Sequence, residues 1–402
     1  MEIRPIISAL MRSKVAMILI GLQVALTLAI VCNSLFIINQ RLQKMGRPSG
    51  MNEVDTFTLQ SFGFGQGFDP KTTGEADLQL LRSLPGVVAA AETNTLPMSN
   101  GGWGSGLSLK PEQTKSSAET AFYMADDQTL NAFGLTLVAG RNFTPEEIQN
   151  MTFNAFKTPP VILVTRELGL KLFPDGDALG KQVYSEKQPT TIVGIVERLQ
   201  KPWVDNLDVE NSTLLPVHLP YGNSTRYLVR AEPGRRDEIM KLAETKLAES
   251  NHSRIVRSIR TIEKIRRDAY ASDRAMAIIL GGVIISLLTI TALGIVGMAS
   301  FWVAQRTKQI GTRRALGATR GSILRYFLTE NFLITTAGLL LGGVLTYALS
   351  FWLLTHIDGA KLLPWHYVPI GFVCLWVLGQ IAVLGPAMRA SRVSPAVATR
   401  SI

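Results

Sequence analysis

Four apolar runs, each long enough to cross a bilayer as a helix, constrain this 402-residue chain more than any other feature. A helix rises 1.5 Å per residue, so about 20 residues span a hydrocarbon core roughly 30 Å thick. Residues 15–38, 276–303, 327–354 and 368–388 meet that length. Between the first two runs lies a tract, 39–274, of ordinary soluble composition. The whole-chain values, 47% apolar and 18% charged, average over these two kinds of segment.

The formal charge of +10 suggests a polyanion partner until its location is considered. Residues 39–274 hold 28 Lys and Arg against 28 Asp and Glu, so the soluble tract is neutral. The excess sits beside the apolar runs: Arg4, Arg12 and Lys14 before the first, six basic residues between the second and third, and Arg389, Arg392 and Arg400 after the fourth. Basic flanks resist translocation, which places both termini and the 304–325 loop in the cytoplasm. Residues 39–274 and the 355–367 loop then face outward. The charge is a topology signal, and nucleic acid is excluded as a partner. The N-terminal run is about 24 residues long with no small-x-small cleavage site, so it reads as an uncleaved anchor. Residues 1–14 read as an amphipathic segment on the inner leaflet or as a plain basic flank. Cys32 and Cys374 both fall in apolar runs, so the outer domain is expected to hold together without a disulfide.

Periodicity within the outer tract is mixed. Strand signals at 54–61 and 87–95 flank a helix signal at 75–83, and strands at 226–231 and 255–259 flank a helix at 235–250. These are two β-α-β units. Shorter elements lie between them, with strands at 122–125, 135–139, 161–165 and 190–196 and a helix at 166–173. The expected fold class is an α+β membrane protein, with four transmembrane helices and an extracytoplasmic mixed α/β domain of two subdomains. One is discontinuous (48–98 plus 225–260) and one inserted (99–224). No Gly or Pro occurs from 235 to 280, and a helix running unbroken from 260 to 303 would be roughly 66 Å long. About half of it would stand outside the bilayer as a helical stalk near 260–275, with residues 38–46 extending the first span.

Motifs for chemistry fail. Gly63-Phe64-Gly65-Gln66-Gly67 lacks the Gly-x-Gly-x-x-Gly spacing, and Gly176–Gln182 is one residue short of a phosphate loop and has Gln where the metal-binding hydroxyl belongs. The four histidines are scattered, no Gly-x-Ser-x-Gly elbow occurs, and the adjacent pairs Asp126-Asp127 and Glu146-Glu147 read as solvated faces. Catalytic residues and metal ligands are accordingly expected to be none. Spans one, two and four hold no Asp, Glu, Lys or Arg, against an ion-coupled transporter. Glu330, a turn inside span three, is the exception. Its expected partner is Arg325 or Arg313.

The segment between spans two and three reads Arg306, Thr307, Lys308, Gln309, Ile310, Gly311, Thr312, Arg313, Arg314, Ala315, Leu316, Gly317, Ala318. Ile310 and Leu316 would lie on a short basic helix capped at Gly317, a knob shaped for a groove on a partner. This segment resembles the signature of FtsX-like permeases, the membrane subunits of MacB-like ABC systems. Residues 140–144, 172–173, 179–181 and 192–196 are similar to that family's periplasmic core, and 386–395 to its C-terminal tail. Gln309 departs from the usual Glu.

The resemblance implies a porter-like outer domain and a permease subunit in the bacterial inner membrane. That subunit would be dimeric with a second copy or a paralogue, and would be driven by a separate cytoplasmic ABC ATPase that binds ATP and Mg; this chain would bind no cofactor. Arg306, Gln309, Ile310, Gly311, Arg313, Arg314, Ala315, Leu316, Gly317 and Ala318 would contact the ATPase, and Arg325 and Glu330 would supply electrostatics that change during coupling. Membrane lipid, a periplasmic adaptor and an outer-membrane channel are further implied partners. Efflux of a drug or peptide by mechanotransmission leads, with lipoprotein release and control of a cell-wall hydrolase open. A membrane sensor is disfavoured because only about 20 residues of cytoplasmic loop are available for output.

Overall fold

The computed structural model describes residues 14–64, 68–152, 155–219, 222–356, 359 and 361–394. The basic segment expected at 1–13 and the centre of the glycine loop at 65–67 lie outside them. The chain divides into two compact units, 1–46 with 273–402, and 47–272.

The first unit is helical. Numbered in chain order, α1 (Lys14–Met45), α7 (Ala271–Gln305), α9 (Arg320–His356) and α10 (Tyr367–Ser391) are long and apolar enough to cross a membrane. The helix α8 (Thr307–Ala315) joins α7 to α9. Lipid gives helices little hydrophobic reason to associate, so close backbone approach and interhelical hydrogen bonds hold them. The segment Gly338-Leu339-Leu340-Leu341-Gly342 of α9 provides the approach. A Cβ on Gly338 would sit 2.7 Å from the Gly21 carbonyl oxygen of α1, and one on Gly342 would sit 2.9 Å from Cα of Ala25. Asn33 of α1 donates to the Thr346 carbonyl (3.1 Å), and Thr27 shares a hydrogen bond with Thr291 of α7 (2.8 Å). α1 continues past its apolar run, and near its end Arg41 and Lys44 both pair with the buried carboxylate of Asp273.

The second unit holds two sheets. Its elements are β1 (Thr56–Gly63), α2 (Pro70–Ser83), β2 (Val87–Glu92), β3 (Trp103–Leu107), β4 (Ala118–Ala125), α3 (Thr129–Phe133), β5 (Leu137–Gly140), β6 (Gln149–Asn150), β7 (Val161–Thr165), α4 (Arg166–Leu172), β8 (Gln182–Ser185), β9 (Gln188–Val196), β10 (Ser212–His218), β11 (Ser224–Ala231), α5 (Arg236–Ser250), β12 (Arg254–Thr261) and α6 (Ile262–Ala269). The smaller sheet has order β12-β1-β11-β2, with every neighbouring pair antiparallel. Each β-α-β unit straddles a strand of the other, the split arrangement in which two crossovers share one sheet. Helices α2 and α5 bury Leu78, Leu81, Ile239, Ala243 and Leu247 against Phe57, Leu59, Tyr227 and Val229. Arg254 and Asp77 form a fully buried ion pair beneath them, and the Tyr227 hydroxyl donates to the same carboxylate at 2.8 Å. The larger sheet, β3-β4-β10-β7-β9-β5 with β6 and β8 attached, is built from the segments between the two β-α-β units.

Two expectations are corrected, and the sequence pattern misses three strands. The helix does not run unbroken from 260 to 303: β12 extends to Thr261, α6 ends at Ala269, and Tyr270 leaves the helix (φ −100°, ψ 17°) before α7 begins. Tyr270 is wholly buried and its hydroxyl accepts from Gln200 Nε2 at 3.1 Å. That anchor, rather than a Gly or Pro, interrupts the helix. Asp126 is buried, not solvated: it pairs with Arg82 at 2.7 Å and accepts from the Gln128 amide at 2.9 Å. Glu146 is exposed, and Glu147 closes a capping box with Thr144 and pairs with Arg141 at the surface. Periodicity does not reveal strands β3, β8 and β10, since β3 carries two glycines and β10 contains Pro216.

Substituting Gly342 with Leu should separate α1 from α9 and cost about 1–3 kcal/mol through overpacking. A Cβ on Gly281 of α7 would meet no atom within 4 Å, so Gly281→Leu is the control. A lower thermal midpoint in detergent for Gly342→Leu alone is expected; equal midpoints would refute the packing role.

Candidate coupling site

Helix α8 begins after Arg306, which leaves helical geometry at φ −100°, ψ 9°. Its end is a Schellman motif: the Ala318 amide donates to the Arg313 carbonyl (2.9 Å) and the Gly317 amide to the Arg314 carbonyl (3.2 Å). Gly317 makes the turn at φ +94°, so it follows the cap residue, Leu316, rather than being the cap itself. The Ser322 amide then donates to the Thr319 hydroxyl (3.2 Å), starting α9. Only four residues therefore separate α8 from α9, and both ends of the turn are fixed by hydrogen bonds.

The two faces of α8 differ. Ile310 and Gly311 are buried, with Ile310 packed on Ile323 and Phe327 of α9 and on Ala387 and Ala390 of α10. This corrects the expectation that Ile310 and Gly311 meet a partner, because their surface is already consumed inside the chain. The 386–395 segment, read as a tail, contributes Ala387, Ala390 and Val393 to this same small core. Gln309, Arg313, Ala315, Leu316 and Gly317 are exposed, and Leu316 presents 84% of its surface. Arg306, Arg314 and Ala318 are half-buried; Arg314 Nη1 donates to the Ala318 carbonyl at 3.4 Å.

Glu330 is buried, and Arg306 is its partner, in place of the expected Arg325 or Arg313. Arg306 Nη1 donates to the two carboxylate oxygens at 2.9 and 3.1 Å. Arg325 is exposed and enters no ion pair among the described residues. Arg313 instead lies 5.2 Å over the Tyr326 ring, and the Tyr326 hydroxyl accepts from Arg306 at 3.4 Å. The exposed face of α8 is thus joined through Arg313, Tyr326 and Arg306 to a buried charge in α9. Sequence reasoning selects Arg306 and Glu330 separately but misses their pairing and the part played by Tyr326. The 24-residue separation of Arg306 and Glu330 becomes contact only when α7 and α9 fold back on each other across α8.

Breaking a buried ion pair by removing one member costs about 3–5 kcal/mol, because the other charge stays buried. Arg306→Met should therefore lower the thermal midpoint of the purified chain, whereas Arg306→Met combined with Glu330→Leu should recover most of the loss. A single variant as stable as the parent would show that the pair is not buried in solution.

The comparisons with known proteins cover most of the chain. Residues 16–245 match the MacB-like periplasmic core domain, and residues 281–395 match the FtsX-like permease C-terminal domain. The macrolide export ATP-binding/permease protein MacB of Chromobacterium violaceum is 24% identical over 367 residues, covering 86% of this chain and 52% of the relative. The chain thus spans about half the length of the MacB relatives it matches. The ABC transporter permease YvrN of Bacillus subtilis is 24% identical over 290 residues, 69% of each chain. A crystal structure of the periplasmic region of MacB from Actinobacillus actinomycetemcomitans superimposes with a TM-score of 0.35 at 15% identity, covering 56% of this chain and 97% of that one. With one family model covering more than half of its length and a second covering most of the remainder, the chain belongs to the family of MacB-like periplasmic core and FtsX-like permease proteins.

Proposed function

We propose that this chain is the permease subunit of an ABC export system, and that it couples ATP hydrolysis in a separate cytoplasmic ATPase to rearrangement of its outer domain. The observation that carries this reading is the two-faced helix α8. Ile310 and Gly311 tie it rigidly to α9 and α10, while Gln309, Arg313 and Leu316 leave an exposed basic and apolar face. An exposed leucine beside basic residues on a fixed short helix suits a groove on a partner subunit. ATP and Mg would be held by that partner, and a second permease copy or paralogue would complete the membrane part.

Leu316→Asp tests this, since it changes only the exposed face. Burying a leucine contributes about 1.5–3 kcal/mol, so recovery of ATPase activity with tagged permease from native membranes should fall roughly ten-fold or more. Arg313→Glu should act in the same direction. Recovery equal to the parent would argue that α8 is not the ATPase contact.

The basic flanks further support a topology with α8 in the cytoplasm and the 47–272 unit in the periplasm. In a Cys32→Ser, Cys374→Ser background, single cysteines at the exposed Lys115 and Lys246 should react with an impermeant maleimide in cells with a permeabilised outer membrane. One at Ser322, between α8 and the body of α9, should not. The opposite labelling pattern would invert the topology.

A further inference from the structure

Within the 47–272 unit a cleft of about 390 Å³ opens beside the smaller sheet. Gln60 of β1, Arg226 of β11, Ser258 and Arg260 of β12, Met98 of the loop after β2 and Ile265 of α6 all line it. We propose that this cleft binds a small carboxylate with an apolar body, of the kind presented by the C-terminal end of a short peptide. The volume falls within the range of small-molecule sites.

The backbone gives the first reason. Five non-glycine residues among those described have positive φ. Two of them, Glu186 and Lys187, form the two-residue turn between β8 and β9, where such angles match the strand twist. The other three, Met98 (φ 62°), Asn100 (φ 56°) and Ser258 (φ 57°), all line this cleft. Left-handed geometry is costly for a residue with a side chain, and it concentrates where a binding surface is held in one shape. The β1–β12 ladder also shifts register here, with Thr58 opposite Arg260 but Gln60 opposite Arg257. Such a bulge re-aims side chains at the sheet edge.

Charge gives the second reason. Arg226 is half-buried; its Nη1 donates to the Asn94 carbonyl at 2.8 Å. Its Nη2 and Nε reach the Gln60 amide oxygen at 2.7 and 3.1 Å once that amide is turned so that its nitrogen donates to Ser258. The guanidinium is thereby held in place without a carboxylate. Burial, and then repulsion from Arg260, make it less basic than an ordinary arginine. Neither arginine enters an ion pair among the described residues, and a bound carboxylate would offset both the burial of the Arg226 charge and its repulsion from Arg260. Asp205 and Asp268 also line the cleft but are exposed, so a ligand with several negative charges would be repelled at the mouth where a single carboxylate is tolerated. Leu96, Met98, Val204 and Ile265 are buried and supply the apolar wall.

Saturation-transfer NMR on the full chain in nanodiscs tests the site, and it does so without the ATPase or the coupling helix. The probes are the tripeptide Leu-Ala-Leu as a free acid and the same peptide as its C-terminal amide, both at millimolar concentration. Transfer to the leucine methyls of the free acid is expected, falling roughly ten-fold for the amide and for Arg226→Gln. Because Arg226 also anchors Asn94, the exposed Arg260→Gln gives an independent answer and should show the same direction of loss. No transfer to the free acid, equal transfer to acid and amide, or transfer undiminished in Arg260→Gln would each overturn the proposal.

Discussion

The helical unit depends on the near-contact of two backbones, those of α1 and α9, at Gly338 and Gly342. Without a hydrophobic drive between helices, association rests on how much surface two backbones can bring together, and any Cβ at these positions would collide with Gly21 or Ala25. The approach places Val24, Ala25 and Leu28 in the centre of the unit. α10 closes on the same helix, since a Cβ on Gly371 would meet Cys32 and Leu28. α9 is therefore a fixed rod, and whatever the end next to α8 carries is positioned by packing well inside the apolar region.

At that end the chain buries a charge, which is costly in a low-dielectric setting. Glu330 is tolerated because Arg306 arrives from the end of α7, with Tyr326 beside it. The same residues that neutralise Glu330 brace the start of α8, while Ile310 locks its inner face onto α9 and α10. The short helix is therefore held against the long ones from two sides. On its outer face Leu316 stays exposed, while Arg313 reaches back over the Tyr326 ring.

The 47–272 unit is held together differently. Its smaller sheet interleaves two β-α-β segments far apart in sequence, and the buried Asp77–Arg254 pair with Tyr227 ties α2 to β11 and β12. Burial raises the Asp77 carboxyl above its usual range in spite of both partners. Beside the same sheet, Met98, Asn100 and Ser258 hold left-handed backbone along the cleft.

Hydrophobic run length and the placement of basic residues identified four helices capable of crossing a membrane, because both signals are local and one-dimensional. Period-2 and period-3.6 patterns likewise located β1, β7, β9, β11, α2 and α5 to within a few residues. The pattern failed where tertiary contacts overrule it. Tyr270 breaks a stretch with no Gly or Pro because its side chain is anchored on Gln200. Asp126 is buried because Arg82 comes to meet it. Within the candidate site, the sequence marked the 306–318 segment, but could not say that Ile310 faces inward and Leu316 outward. Nor could it choose Arg306 over Arg313 and Arg325 for Glu330. Those decisions depend on which side of a nine-residue helix two long neighbours occupy, and that is settled only when α7, α9 and α10 have packed together.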